Sequence, residues 1–462
     1  MDEKPSPEID KFTRMTTAPV EKLILSLAAP SIAIMLISAL YNMADTYFVG
    51  SLGTSVVAAV GIAFPLMAIV QAMGFFFGQG SGNYMARVLG ARETEKASRM
   101  AVTGLVTGFL IMALMAACGI IFLQPLVDGL GATPTIRPYA AEYIFYILLA
   151  SPWMVSATVL NQQLRFQGSA AIAMVGMISG AVLNIFLDPL FIFTFKMGIK
   201  GAAVATMISQ IISFIILFTY GSSRQGNVAI NFKHFSPSLS RYIEMFRGGI
   251  PALLRQGLAS LMTIIINHFA AAYGDAAIAA ISITNRLFMF ANSIMLGIGQ
   301  GFQPVCGFNY GAKLYSRVKK GFWFCVKVAS AGLFVIAVVL FVFAPQVIAI
   351  FRRDDPEVIR IGALGLRLMC GIMPFAAFVI MCNMMTQTMG MALYASFNAV
   401  SRQGLFLLPC LLIFTRVFNL GLVGIQLSIP AADILGFFTA IFIMIKVFHI
   451  LDDDKVSEPQ HE

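Results

Sequence analysis

The sequence predicts an all-α polytopic membrane protein: twelve transmembrane helices in two six-helix lobes related by a pseudo-two-fold axis. Three observations predict it. Of 462 residues, 58% are hydrophobic and only 11% are charged, against about 25% charged in a typical soluble domain. The apolar residues run in long blocks, such as 105–123 and 328–344, long enough to cross about 30 Å of hydrocarbon. Finally, the second half of the chain repeats the first. With no water to satisfy the backbone, and without the alternation of a barrel strand, those blocks have to be helices.

The chain opens with a charged tail, residues 1–22, that lacks a small-residue cleavage site. The first apolar block therefore reads as a retained helix, not a signal peptide. Hydropathy places the spans near 23–48, 56–82, 100–123, 139–160, 170–194, 199–220, 248–272, 277–303, 321–344, 360–383, 393–415 and 422–450. The expected domains are a first lobe 23–220, a polar linker 221–247, a second lobe 248–450 and a tail 451–462. Within the linker, Ser236-Pro237 predicts a capped, short surface helix ending near Phe246. Alternate connections carry 19 and 7 Lys or Arg, which by the positive-inside rule puts both termini in the cytoplasm. The formal charge of +9 lies in these short connections, so membrane topology accounts for it without nucleic acid.

The repeat needs no gap over about 60 residues. At a separation of 221, Pro30 meets Pro251, Gly53 meets Gly274, Gly78-Gln79-Gly80 meets Gly299-Gln300-Gly301, and Gly90-Ala91 meets Gly311-Ala312. At 222, Pro152 meets Pro374, Asn161 meets Asn383 and Gly168 meets Gly390. Each half has an even number of spans, so both enter from one side, with a cavity expected between the lobes.

Membrane charges narrow the site. In the first lobe, Asp45 and Asp188 both lie late in spans that run in the same direction, hence at similar depth. Asn42 precedes Asp45 by three residues and Asn184 precedes Asp188 by four, so each amide shares its acid's helix face. A carboxylate at this depth needs a proton, a cation or a partner. No Lys or Arg lies in spans 1–6 away from their ends. Two acids and two amides suit a site for H+ or Na+; the competing reading is that they cap helix ends or pair with structural cations.

Within its spans the second lobe carries Arg255, Arg286, Lys327 near an inner end, Arg367, Arg402 and a single acid, Asp433, which is expected to bridge to Arg402. Pro30, Gln79, Arg255, Arg286 and Gln300 are candidates for a substrate cavity or gate, Pro30 because it removes a helix hydrogen bond beneath Asp45. The six cysteines and four histidines have no metal-ligand spacing, and no Gly-Lys dipeptide occurs, so neither a resident metal nor a phosphate loop for ATP is expected.

These segments carry a resemblance. Tyr41-Asn42-Met43-Ala44-Asp45-Thr46-Tyr47-Phe48-Val49-Gly50 and Asn184-Ile185-Phe186-Leu187-Asp188-Pro189-Leu190-Phe191-Ile192-Phe193 resemble the multidrug and toxic compound extrusion (MATE) family. Gly78-Gln79-Gly80-Ser81-Gly82-Asn83-Tyr84 and Phe308-Asn309-Tyr310-Gly311-Ala312-Lys313 look like its MepA-like bacterial branch, and the likeness spans about residues 20–450. It implies a non-enzymatic, monomeric exporter of amphiphilic cations in the bacterial cytoplasmic membrane, working by alternating access in exchange for H+ or Na+ without a cofactor. It also implies a first-lobe site of Asp45, Asp188 and Asn184 with hydroxyls matching Tyr143 and Thr206, where Na+ would sit at Asp45, Asn184 and Asp188. The sodium-coupled NorM-like branch has a further acid in helix 7, where this chain has Arg255-Gln256. The alternative cargo on the same fold is a lipid-linked sugar or another endogenous amphiphile, moved by a flippase.

Overall fold

A computed structural model of the chain describes residues 7–223, 228, 230–352 and 355–456; the side chains of residues 7–10, 39, 40, 42–46, 54, 275 and 454–456 lie outside that description. It is all-α. In the first half the helices are α1 Pro7–Thr17, α2 Val20–Gly50, α3 Thr54–Gly90, α4 Thr94–Ile121, α5 Leu123–Gly129, α6 Arg137–Phe166, α7 Ala170–Pro189 and α8 Ile199–Ser222. In the second they are α9 Leu239–Ala271, α10 Asp275–Gly311, α11 Tyr315–Val342, α12 Ala344–Phe351, α13 Pro356–Cys370, α14 Met373–Thr388, α15 Ala392–Val400, α16 Leu407–Leu412 and α17 Gly421–Val456. Among the described residues 11 helices can cross a membrane, and 12 if α13 and α14, bent by 54° at their junction, form one span.

That bend has a local cause. Pro374 stands in the first turn of α14 and cannot donate to a preceding carbonyl, and Gly371 lies in the break. The corresponding Pro152 lies inside an unbroken α6. The expected surface helix ending near Phe246 does not form as a separate element. Instead α9 runs unbroken from Leu239 to Ala271. Its start is capped by Ser238, whose hydroxyl accepts the Arg241 backbone N–H at 3.4 Å, two residues after the expected Ser236.

The chain forms two compact units: Met1–Ala18 with Ala29–Leu253, and Pro19–Ala28 with Leu254–Glu462. The divisions fall beside Pro30 in α2 and Pro251 in α9. In the first unit α6 packs against α3, α4 and α8, burying Ala59, Tyr143, Ile144 and Ala202. In the second, α14 packs against α11 and α17, and α10 against α11 and α13. Both Gly-Gln-Gly motifs sit at close helix crossings within their units. A Cβ on Gly80 would stand 2.3 Å from the Met245 carbonyl oxygen, and one on Gly301 2.5 Å from the Ala28 nitrogen.

The backbone carries the duplication further than the sequence does. Left-handed residues recur in pairs: Gly53 and Gly274, Arg92 and Lys313, Gly168 and Gly390, Lys196 and Asn419, Gly198 and Gly421. Their separations are 221, 221, 222, 223 and 223. The Asn161 amide donates to Ala173 O at 3.0 Å, and its counterpart Asn383 donates to Ala395 O at 2.7 Å. A π-turn at Leu190–Thr194 is matched by one at Ile413–Val417. A further π-turn, Ser401–Phe406, stands between the regions where the separation is 222 and 223. A π-turn absorbs one inserted residue without ending the helix, which accounts for the change.

Candidate functional site

The buried stripe of α7 is spaced by fours: Gly176, Gly180, Asn184 and Asp188. Two glycines followed by two polar residues let a neighbour approach and then meet hydrogen-bonding groups. Asp188 is 0% exposed, Asn184 1% and Thr206 2%. After Asp188 comes Pro189, which has no N–H to give, and the helix widens into the Leu190–Thr194 π-turn, with Phe195 N donating to Leu190 O at 3.0 Å.

That turn is where α8 comes in. A Cβ on Gly201 would lie 2.7 Å from the Phe191 carbonyl carbon, so the first turns of α8 rest directly on backbone. The approach sets Thr206 against Asn184. A carboxylate only accepts, so the Asn184 amide turns its NH2 toward it: Nδ2 donates to Asp188 Oδ2 at 2.9 Å, and Oδ1 accepts from the Thr206 N–H at 3.2 Å. Turned the other way, Nδ2 would face the Thr206 hydroxyl at 3.4 Å, a long contact that puts the amide oxygen against the carboxylate. Tyr143 is buried nearby in the first-unit core, its hydroxyl 4.0 Å from Met67 Sδ. Asn42 and Asp45 lie in α2, but their side chains are outside the described residues.

The other candidates are distributed. Pro30 is inside α2, where the chain passes from one unit to the other. Gln79 and Gln300 are buried between the glycines of their helix crossings. The Arg255 guanidinium donates to Asn383 Oδ1 at 2.8 Å, while Arg286 is exposed on α10. Arg402, in the extra π-turn, meets Asp433 through two bonds, Nε to Oδ1 at 2.5 Å and Nη2 to Oδ2 at 3.3 Å. Sequence spacing alone did not expose the Arg255–Asn383 contact, although the Asn161/Asn383 repeat marked Asn383 as a position the fold uses twice.

Comparison with known proteins resolves the family. The MatE family model matches residues 30–190 and again residues 251–412. The chain belongs to the MatE (multidrug and toxic compound extrusion) family. The two matches begin at Pro30 and Pro251, the pair that opens the internal repeat. Among curated relatives, the multidrug export protein MepA of Staphylococcus haemolyticus (strain JCSC1435) is 28% identical over 437 residues, covering 94% of this chain and 96% of its own length. MepA of Staphylococcus aureus (strain MSSA476) is 27% identical over 428 residues, covering 92% and 94%. Among solved structures, an outward-facing multidrug resistance MATE transporter of the MOP superfamily superposes with a TM-score of 0.90 at 26% identity, covering 98% of this chain and 100% of that one. A MATE in the bent conformation gives 0.91 at 26% identity with the same coverage, and one in the straight conformation 0.89 at 26% identity, covering 96% and 99%. This MATE protein is thus a multi-span membrane transporter, not an enzyme, and MATE transporters draw on ion gradients in place of bound cofactors.

Proposed function

We propose that the protein exports amphiphilic, cationic small molecules by exchanging them for H+ or Na+, with Asp188 and Asp45 as the coupling acids. The observation that carries this reading is the fully buried Asp188 carboxylate, placed against Asn184 and next to Thr206. A carboxylate removed from water this completely is stable only with hydrogen-bond donors, a cation or a proton. An organic cation and a coupling ion then compete for the same negative charge, and binding one releases the other. The name of the MepA relatives supports a multidrug cargo.

In this reading alternating access is carried by two lobes, 23–220 and 248–450, in a monomer of the bacterial cytoplasmic membrane with both termini inside. The proline in α2 supplies a hinge, since helix bending concentrates where a backbone hydrogen bond is missing. A lipid-linked sugar would call for free cationic groups in the second lobe. Arg402 is neutralised by Asp433, which removes one of the four arginines that this second reading would use.

The test is efflux of a fluorescent organic cation from proteoliposomes under proton and sodium gradients imposed separately. The reading requires one gradient to drive concentrative transport and Asp188→Asn to abolish that drive. Equal transport with both gradients absent would contradict it.

A further inference from the structure

The chain passes between the two units three times, and the passages are built differently. At Ala28–Ala29 and Leu253–Leu254 it crosses inside a helix, beside Pro30 of α2 and Pro251 of α9. At Ala18–Pro19 it crosses at the junction between α1 and α2. Residues 19–28 are thus a piece of unit 2 joined to unit 1 at both ends. One end is a proline hinge, where a missing helix hydrogen bond permits bending. The other end is α1.

Each side of the Ala18–Pro19 junction is fastened to its own unit. On unit 1, α1 lies along α3 and grips two turns. Met15 is 3% exposed, and a Cβ on Gly168 would stand 3.2 Å from its Sδ. Lys11 Nζ donates to Ser169 Oγ at 3.1 Å, and the Arg92 guanidinium lies 4.4 Å above the centre of the Phe12 ring. Gly168 and Arg92 are the left-handed residues of the α6–α7 and α3–α4 turns. On unit 2, Val20, Leu23, Ile24, Leu27 and Ala28 are all buried. A Cβ on Gly321 would lie 3.2 Å from Val20 and 3.4 Å from Ile24, and Glu21 pairs with Lys320 at 2.9 Å.

The junction has little slack. Ala18 N donates to Arg14 O at 3.2 Å, closing α1, and Leu23 N donates to Pro19 O at 3.0 Å, opening α2. Two residues reach about 7 Å at full extension, and Pro19 has its φ fixed. Any larger separation of the units at this junction has to free one fastening. The unit 2 side buries five apolar side chains. Among its described residues α1 buries one, Met15, and half-buries Phe12. Apolar anchorage scales with the area removed from water, so α1 is the side that lets go.

We propose that α1 is a strap: docked on unit 1, it limits how far the units can part at this junction, and it unclasps before they part further. In the transporter reading above it brakes the opening of one face of the membrane, the cytoplasmic face in the orientation that the charge pattern assigns. That use rests on alternating access; the strap itself does not.

The experiment is a spin-label distance measurement on the full-length protein in nanodiscs, without cargo or gradient. Labels go on the exposed positions Lys96→Cys in α4 and Ser316→Cys in α11, with the exposed Cys118 replaced by serine. Two variants undo the strap in different ways. Met15→Glu removes its buried anchor. Inserting about six Gly and Ser residues between Ala18 and Pro19 leaves every anchor in place and gives the junction slack. Each variant is expected to raise the population of longer distances about fivefold or more over the native chain. The insertion is the sharper test, because slack does nothing to a helix that merely stabilises unit 1. A distance distribution unchanged by the insertion overturns the proposal, whatever Met15→Glu does. Should Met15→Glu fail to fold, the insertion decides alone. The distances need neither cargo nor gradient, so export can fail in proteoliposomes while the strap holds, and the reverse.

Discussion

Asp188 and Asn184 are one helical turn apart, and the turn of the amide is dictated by the carboxylate it faces. Removing that donor leaves a buried acceptor with one fewer partner, at a cost of about 1–3 kcal/mol. Asn184→Leu should therefore lower coupled efflux at least about tenfold and shift the pH dependence of transport in proteoliposomes; an unchanged pH profile would show the amide to be a bystander. Arg402 and Asp433 invite a different experiment. Breaking a buried ion pair from one side costs about 3–5 kcal/mol, whereas replacing both partners with apolar residues is often neutral. Arg402→Met alone should lower the melting temperature clearly, and Arg402→Met with Asp433→Leu should restore most of the loss. At this scale the sequence was informative: polar residues in a long apolar run stand out, and helical spacing assigns them to faces. Thr206 was legible only through family resemblance, because its contact depends on how closely α8 approaches α7, which spacing along one helix does not encode.

That approach belongs to the elements. Gly201 and Gly424 each admit a backbone where a side chain would collide, and each lies against the middle of a π-turn. Overpacking such a contact typically costs about 1–3 kcal/mol. Gly201→Val should lower both thermal stability and coupled efflux, since it pushes Thr206 from Asn184. Gly424→Val should cost comparable stability and, if unit 2 carries no coupling acid, leave the ion dependence of the remaining transport unaltered. Counting the dependence on proton or sodium concentration in the two variants separates these outcomes. The helical spans themselves could be read from hydropathy. The π-turns could not, because an inserted residue changes no composition; it shows only as a repeat separation that moves from 222 to 223. The Leu239–Ala271 helix escaped for a related reason: Ser236-Pro237 signals where a helix starts, and nothing in the linker's polarity says that it will continue into the apolar span.

Over the whole molecule, a duplicated frame has been given two chemistries. Matching left-handed residues, π-turns and amide-to-carbonyl bonds fix the same backbone in both units. The first unit holds Asp188 with Asn184 and Thr206; the second holds leucines and isoleucines at the corresponding places. The positive-inside pattern predicts that reporters fused at the two ends of the chain will both report a cytoplasmic position. A periplasmic signal from either end would reverse the direction assigned to transport. The central claim, that an acid in the first unit links cargo to an ion gradient, is tested most directly by concentrative efflux of an organic cation from proteoliposomes, comparing the wild type with Asp188→Asn under the same imposed gradient. The account predicts gradient-driven efflux for the wild type and only downhill leakage, at least about tenfold slower, for the variant. Concentrative efflux by Asp188→Asn at the wild-type rate would contradict it.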